Sequence, residues 1–433
     1  MKTPSYPKIL LSVLPDILLF LAVILIPWQA RWIYGVALID HSPYEYGMMS
    51  VYLGSIVLVI ALAVHAIPKL DTKVVVGAGA LLLWLLLRAT PASALGLNFL
   101  GLMVIAAGYV LLAHGVSHRK LLYALITGGV VQAVIAWWQF AAQVIHASTI
   151  LGVAFHDPSR LGDSVVIIDT MRYLRAYGLL PHPNMLAGYL ALAGAACLVV
   201  LAEARMKEHI GLRTVFLGAL FVIASGLLLT FSRAGIIALA LFSLISMYLL
   251  IRKGHRQQQL IVGRAVVSLV VMFFAANIMF GNVYLQRFHV ASNATAETTR
   301  LETISDTERF GGYYEAAQLL DPTTVLVGVG LNHYVPSLAR VVPGKPIYSY
   351  QPVHNIFLLA LIEIGLVGCI LLGYFIFVIF KKTLYGRKDM EHYLLFSMIG
   401  MLLVLGLADH YLWSSYFGQS LWWLTVGLAV SKK

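Results

Sequence analysis

Twelve apolar runs dominate this chain: approximately 9–27, 48–67, 74–88, 97–114, 121–146, 184–203, 213–230, 235–251, 262–281, 355–380, 394–408 and 416–430. A bilayer core of about 30 Å takes roughly 20 such residues per helix; 74–88 and 394–408 fall short of that length. Only 11% of residues are charged, against about 25% in a soluble protein, so a water-facing surface cannot be covered. Soluble enzymes, disordered chains and nucleic-acid modules are thereby excluded. Strand-like alternation is missing, which argues against a membrane barrel. The first run lacks a small-residue cleavage site and reads as a retained helix. The cysteines, Cys197 and Cys369, each lie inside an apolar run, so neither a disulfide framework nor a thiolate metal site is expected. The expected fold is an all-α polytopic membrane protein of about twelve transmembrane helices.

The net charge of +11 is read first as topology, because Lys and Arg accumulate in short cytoplasmic loops. With both termini cytoplasmic, 19 cations fall inside, among them Lys2, Lys8, Lys69, Arg119, Arg205, Lys382, Arg387, Lys388, Lys432 and Lys433, and 11 fall outside. That bias puts both ends in the cytoplasm. The outside set is Arg31, Arg88, Arg160, Arg172, Arg175, Arg233, Arg287, Arg300, Arg309, Arg340 and Lys345, ten of the 11 being Arg. Guanidinium is a planar fork suited to bidentate phosphate contact, whereas ammonium is a solvated point charge. A diphosphate site would look like this, and so would arginines snorkelling to headgroups.

The expected organisation is five helices over 1–146, an outer loop over 147–183, four helices over 184–281, a large outer loop over 282–353 and three helices over 354–433. Loops this long are functional or disordered. The first carries His156, Asp157, Arg160, Asp163, Asp169, Arg172 and Arg175. The second has Phe310, Tyr313, Tyr314, Leu319 and Leu320 at helix-like spacing, with Asp321-Pro322 as a stop, and reads as short helices lying over the membrane face.

Several outer motifs carry chemistry. F-S-R-A-G, 231–235, sets Arg233 between two apolar runs with almost no loop. A charge so near hydrocarbon is expensive and should face a wet cavity or a ligand, with Ser232 and Gly235 allowing the turn. An anion contact is favoured there over snorkelling. P-V-H-N, 352–355, places His354 and Asn355 where the large loop enters a helix; the positive end of the helix disfavours imidazolium, leaving His354 as a proton acceptor. P-H-P-N, 181–184, opens another helix with Pro183 in its first turn, His182 and Asn184 pointing outward. It also fits a plain helix start, and Arg175 upstream is the better anion contact. R-F-G-G-Y-Y sets Arg309 and Tyr313 on a loop helix, a pairing suited to phosphate and sugar. G-V-G-L-N, 328–332, is a backbone break, not a dinucleotide fingerprint. Glu363 is an intramembrane acid and a functional candidate by that fact. Asp409 and His410 end the eleventh run and border the same face. Trp413, Tyr416, Trp422 and Trp423 read as an interfacial aromatic belt. No metal site is expected: no D-x-D pair occurs, so leaving-group charge would be neutralised by Arg.

Taken in order, R-A-Y-G-L-L-P-H-P-N at 175–184, F-S-R-A-G, Arg309, G-V-G-L-N and V-H-N-I-F-L-L-A-L-I-E-I-G-L-V-G at 353–368 resemble the O-antigen ligase and polymerase superfamily. These are bacterial inner-membrane glycosyltransferases, GT-C-like in fold, that use glycans carried on undecaprenyl diphosphate. The resemblance spans roughly 175–430; the first five helices match only in number and hydropathy. It implies a cofactor-free, metal-independent, inverting transfer at the periplasmic face. Arg233 and Arg309 would hold the diphosphate, with Arg175 added to the same site, and His354 would deprotonate or orient the acceptor hydroxyl. His182, Asn184, Asn355, Tyr313, Asp409 and His410 are further candidates for substrate contact. Implied partners are the carrier-linked donor, membrane lipids and an acceptor: lipid A–core first, otherwise a growing glycan or protein Ser/Thr, and no nucleic acid. A lipid-linked glycan flippase or transporter is the competing class, and a scaffold subunit the third.

Overall fold

The computed structural model describes residues 6–65, 70–89, 93–168, 171–281, 283–288, 296–386 and 389–431. Of the residues named above, Lys2, Lys69, Asp169, Arg387, Lys388, Lys432 and Lys433 lie outside these, as do the side chains of Lys8, Arg300 and Lys382. All twelve apolar runs are helical wholly or in part. In order, α1 (Tyr6–Ile24) leads into a hairpin, β1 (Arg31–Ile39) and β2 (Ser42–Tyr52), and then α2 (Leu53–Val64), α3 (Thr72–Ala89), α4 (Ala94–Gly115) and α5 (His118–Ala142). A second hairpin, β3 (Val165–Ile168) and β4 (Met171–Leu174), precedes α6 (Pro183–Leu201), α7 (Ile210–Leu229), α8 (Arg233–Lys253) and α9 (Arg256–Met279). The large loop holds α10 (Val283–Arg287), α11 (Ala296–Gln318), α12 (Pro322–Val327) and α13 (Tyr334–Val341); α14 (Ile356–Gly386), α15 (Met390–Ala408), α16 (Tyr411–Ser414) and α17 (Tyr416–Val430) complete the chain.

Among the described residues, nine helices are long and apolar enough to cross a membrane: α3–α9, α14 and α15. The other three predicted spans are shorter. The apolar part described for α1 is Val13–Ile24, α2 has 12 residues and α17 has 15. The run at 48–67 is divided, because its first five residues finish β2 and pair with β1. Hydropathy alone cannot separate a buried strand from the helix that follows it. The hairpin turns through Asp40 and His41, both at positive φ, as a tight hairpin turn requires.

α6 forms the centre of the bundle, 94% of its apolar window being buried. It touches α5, α7, α8 and α15. Small residues let these helices approach: a side chain at Gly235 would meet Ala187, one at Gly129 would meet Ala193, and one at Gly226 would meet Ala133. At one end of the bundle, ion pairs tie the helix turns together. His118 binds Glu391, Arg119 and Arg205 share the buried Glu203, and Lys120 meets Asp16. The opposite end carries both hairpins, the loop helices and every motif singled out above.

α14 is broken where that end begins. Gly365 takes φ 68°, ψ 176° inside the helix, which frees carbonyls that the bilayer cannot hydrate. The G-V-G-L-N segment caps them: Val329 N–H donates to Ile362 O at 2.8 Å and Gly330 N–H to Glu363 O at 3.0 Å. The Trp84 indole donates to Ile364 O at 2.9 Å. The Glu363 carboxylate accepts from Trp413 Nε1 at 2.9 Å and from Tyr334 N at 3.4 Å. Glu363 thus joins the large loop to the bundle. The aromatic-belt reading is also corrected: Trp413 serves this joint, buried Tyr416 stacks on Tyr52 at 5.1 Å, and buried Trp423 packs beside Phe375.

The large loop is helical, as its spacing implied. α11 stops at Gln318 just before Asp321-Pro322, and Asp321 then caps α12 through the N–H groups of Thr323 and Thr324.

Candidate functional site

The turn between α7 and α8 is three residues long and needs one at positive φ, which is Phe231 at 48°. Its ring is buried and stacks on Tyr284 of α10 at 5.1 Å. Ser232 caps α8, and Gly235 serves packing, not the turn itself. Arg233 is the first residue of α8, and its guanidinium donates to the Arg287 carbonyl at 2.9 Å. α10 is therefore anchored onto this turn by an aromatic stack and a charged hydrogen bond.

Arg175 is buried at 7% exposure. Its Nε donates to Thr230 O at 2.7 Å and an Nη to Asn184 Oδ1 at 2.9 Å. Asn184 Nδ2 then donates to Asp409 Oδ2 at 3.3 Å, which links three separate parts of the chain in one line. His182 caps α6, accepting from Asn184 N at 3.1 Å on Nδ1, while Nε2 meets Ser164 Oγ at 3.0 Å. The P-H-P-N segment is therefore a helix start whose capping ring also contacts Ser164.

His354 stands two residues before α14, whose N-cap is Asn355: Oδ1 accepts from Phe357 N at 2.9 Å and Leu358 N at 3.1 Å. Asn355 Nδ2 reaches the Tyr313 hydroxyl of α11 at 3.4 Å. The His354 ring meets His410 edge-on at 5.1 Å. Asp409 completes the group, with one ligand-type atom from each of His354, Asp409 and His410 lying within 4.8 Å of the others. His410 Nδ1 pairs with Ser414 Oγ at 2.7 Å, its Nε2 lies 3.5 Å from the Tyr46 hydroxyl, and its backbone N–H donates to Asp409 Oδ1 at 2.8 Å.

Burial, reinforced by the Arg175 guanidinium, pushes the His182 imidazole down to about 3. Burial likewise lowers His410 to about 4, against the opposing pull of Asp409. For Asp409, burial acts upward but His410 and the other imidazoles outweigh it, so the carboxyl lies below its usual range. The cluster thus sets one carboxylate beside the His182 and His410 rings, whose charged forms burial disfavours.

His354 also opens on a cavity of about 500 Å³ lined by Glu308, Glu315, Lys345, Tyr348 and Gln351. Arg309 is half-buried on α11, next to Glu308. The predicted residues therefore fall into groups. His354, Asp409, His410, Asn184, Arg175 and His182 come together; Asn355 and Tyr313 contact each other; Arg233 is tied to α10 and Arg309 lies on α11. Spacing in the sequence offers no metal constellation, yet folding gathers His354, Asp409 and His410. His114 and His118, four apart, instead fall on α4 and α5. Tyr46, Ser164, Ser414 and Glu308 were not foreseen. Tyr46 lies 364 residues from His410, on a hairpin with no motif to mark it.

Residues 218–373 match the family model described as O-antigen ligase. That stretch includes Arg233, Arg309 and His354 and ends before Asp409 and His410. No curated protein matches the chain. Over residues 218–373, then, the chain is similar to the O-antigen ligase family.

Proposed function

We propose that the protein is a membrane glycosyltransferase that moves a glycan from a lipid diphosphate carrier, undecaprenyl diphosphate by family analogy, to an acceptor hydroxyl, with lipid A–core the leading acceptor. The observation that carries this reading is the position of His354. It faces a polar cavity at the motif-bearing end of the bundle, within the segment that matches the O-antigen ligase model. In the step, the acceptor oxygen attacks the anomeric carbon as the bond from that carbon to the diphosphate oxygen breaks, inverting the centre. His354 takes the hydroxyl proton, and the diphosphate leaves with both electrons of the broken bond. Arg233 and Arg309 would stabilise the charge that develops there, with Arg175 holding the supporting frame through Asn184.

The cation bias supports a periplasmic motif-bearing end with both termini cytoplasmic, and family analogy supports a bacterial inner membrane. Metal independence rests on the arginines and on the absence of D-x-D pairs. A flippase would place its cations near the midplane on opposed or broken helices. Here Arg233 and His354 sit at helix starts, at one end of the bundle, which favours chemistry at a face over passage. Polymerase and protein O-oligosaccharyltransferase activities use the same step and differ in acceptor.

The test offers vesicles a defined carrier-linked donor with lipid, glycan and peptide acceptors and identifies products by mass spectrometry. One acceptor class should gain the glycan. His354→Ala should abolish the product while donor binding persists, and full turnover by that variant would remove the base assignment.

A further inference from the structure

The geometry points to a reversible binding site for a transition ion of the Zn²⁺ class, formed by His354, Asp409 and His410, whose occupation switches the transfer reaction off. The inhibitory half rests on the function proposed above; the ion site itself does not.

Two imidazoles and one carboxylate offer their ligand atoms within 4.8 Å of one another. A tetrahedral ion with bonds of about 2.0–2.2 Å holds its ligand atoms roughly 3.4 Å apart, so modest side-chain rotation closes the set. Two nitrogens and one oxygen with a fourth position open is a known ligand set for zinc, the fourth place being taken by water, and nitrogen donors favour Zn²⁺, Co²⁺ or Ni²⁺ over Mg²⁺.

The supporting contacts already orient the ligands. Ser414 Oγ engages His410 Nδ1 at 2.7 Å, so Nε2 is the nitrogen to bind, exchanging its 3.5 Å contact with the Tyr46 hydroxyl for the ion. Asp409 is held by its neighbour's N–H and by Asn184, itself fixed by Arg175. Such outer contacts set tautomer and direction in metal sites. Among the described residues, no hydrogen bond claims the His354 ring, so its lone pair is available.

Charge decides between a permanent and a passing ion. Asp409 supplies the one negative ligand, and the Arg175 guanidinium, one residue away through Asn184, opposes added positive charge. The site therefore fills when the ion is in excess and empties when it is withdrawn. While filled, it occupies the lone pair on His354 that would take the acceptor proton.

The experiment titrates Co²⁺ into tag-free, full-length protein in lipid nanodiscs, following visible absorption, with Zn²⁺ as competitor. One equivalent per chain should give a saturable band that Zn²⁺ displaces. His354→Ala and His410→Ala should each lose the band, with thermal melting used to confirm folding. Ser414→Ala keeps all three ligands and should weaken binding roughly 10-fold. Absence of a one-equivalent band, or a band unchanged in the folded His354→Ala and His410→Ala proteins, overturns the site. In the transfer assay, Zn²⁺ should inhibit and a chelator should restore activity. Binding without inhibition would overturn the switch and the base role of His354, while leaving the ion site standing.

Discussion

Gly365→Ala is the sharpest test of how the His354 segment is held. At φ 68°, ψ 176° the position lies in a region that is almost glycine-only, and a side chain there costs about 1–3 kcal/mol in backbone strain. The added Cβ would also stand 2.5 Å from Leu326 O and from the Val327 carbonyl carbon. Those are backbone atoms and cannot swing aside. Relief requires the G-V-G-L-N segment to move off α14, breaking the bonds from Val329 N to Ile362 O and from Gly330 N to Glu363 O, at about 0.5–1.5 kcal/mol each. The combined loss is roughly 2–6 kcal/mol. Gly373, on the same helix, is the control, because a Cβ added there would meet nothing within 4 Å; Gly373→Ala should be neutral or stabilising by up to about 1 kcal/mol. The assay is thermal unfolding of the purified protein in one detergent, read by intrinsic fluorescence, alongside glycan transfer. A Gly365→Ala protein that melts with wild type and transfers normally would show that the break does not hold this face together.

Three further outcomes are expected. Arg233→Lys keeps the charge but loses the planar fork, so donor affinity should fall about 10-fold, and near-normal affinity measured with labelled carrier would remove Arg233 from the diphosphate site. Because the His182 folded-state value is lowered to about 3 against about 6.5 in an unfolded chain, the unfolded state takes up the proton first. Stability should therefore fall as pH drops from about 6.5 toward 3, a slope that His182→Gln should flatten in melting curves. Transfer should persist in excess chelator, and complete loss with rescue by a divalent ion would refute charge neutralisation by Arg.

How much could be read in advance depended on the range of each interaction. The helix start at Arg233 was legible from the near-absence of a loop around it, and the helix entry beside His354 because such an entry is a local event. The loop helices followed from short-range periodicity, and Asp321 from its neighbour Pro322. Glu363 was legible as an oddity but not as a joint, since its partners Trp413 and Tyr334 lie 50 and 29 residues away. The hairpin at 31–52 was hidden because its apolar residues merge into the helix after it. The line from Arg175 through Asn184 to Asp409, and the meeting of His354 with His410, join segments whose spacing in the chain carries no trace of the contact.

Composition by itself determined that this chain crosses a membrane, because 11% charge cannot solvate its surface, and local hydropathy determined where its helices run. Only the tertiary structure decided which polar groups face one another. Hydrocarbon forces buried backbone donors and acceptors to find partners within the protein, and the partners that side chains find are chosen by how α6, α14 and α15 pack, not by the order in which the residues are written.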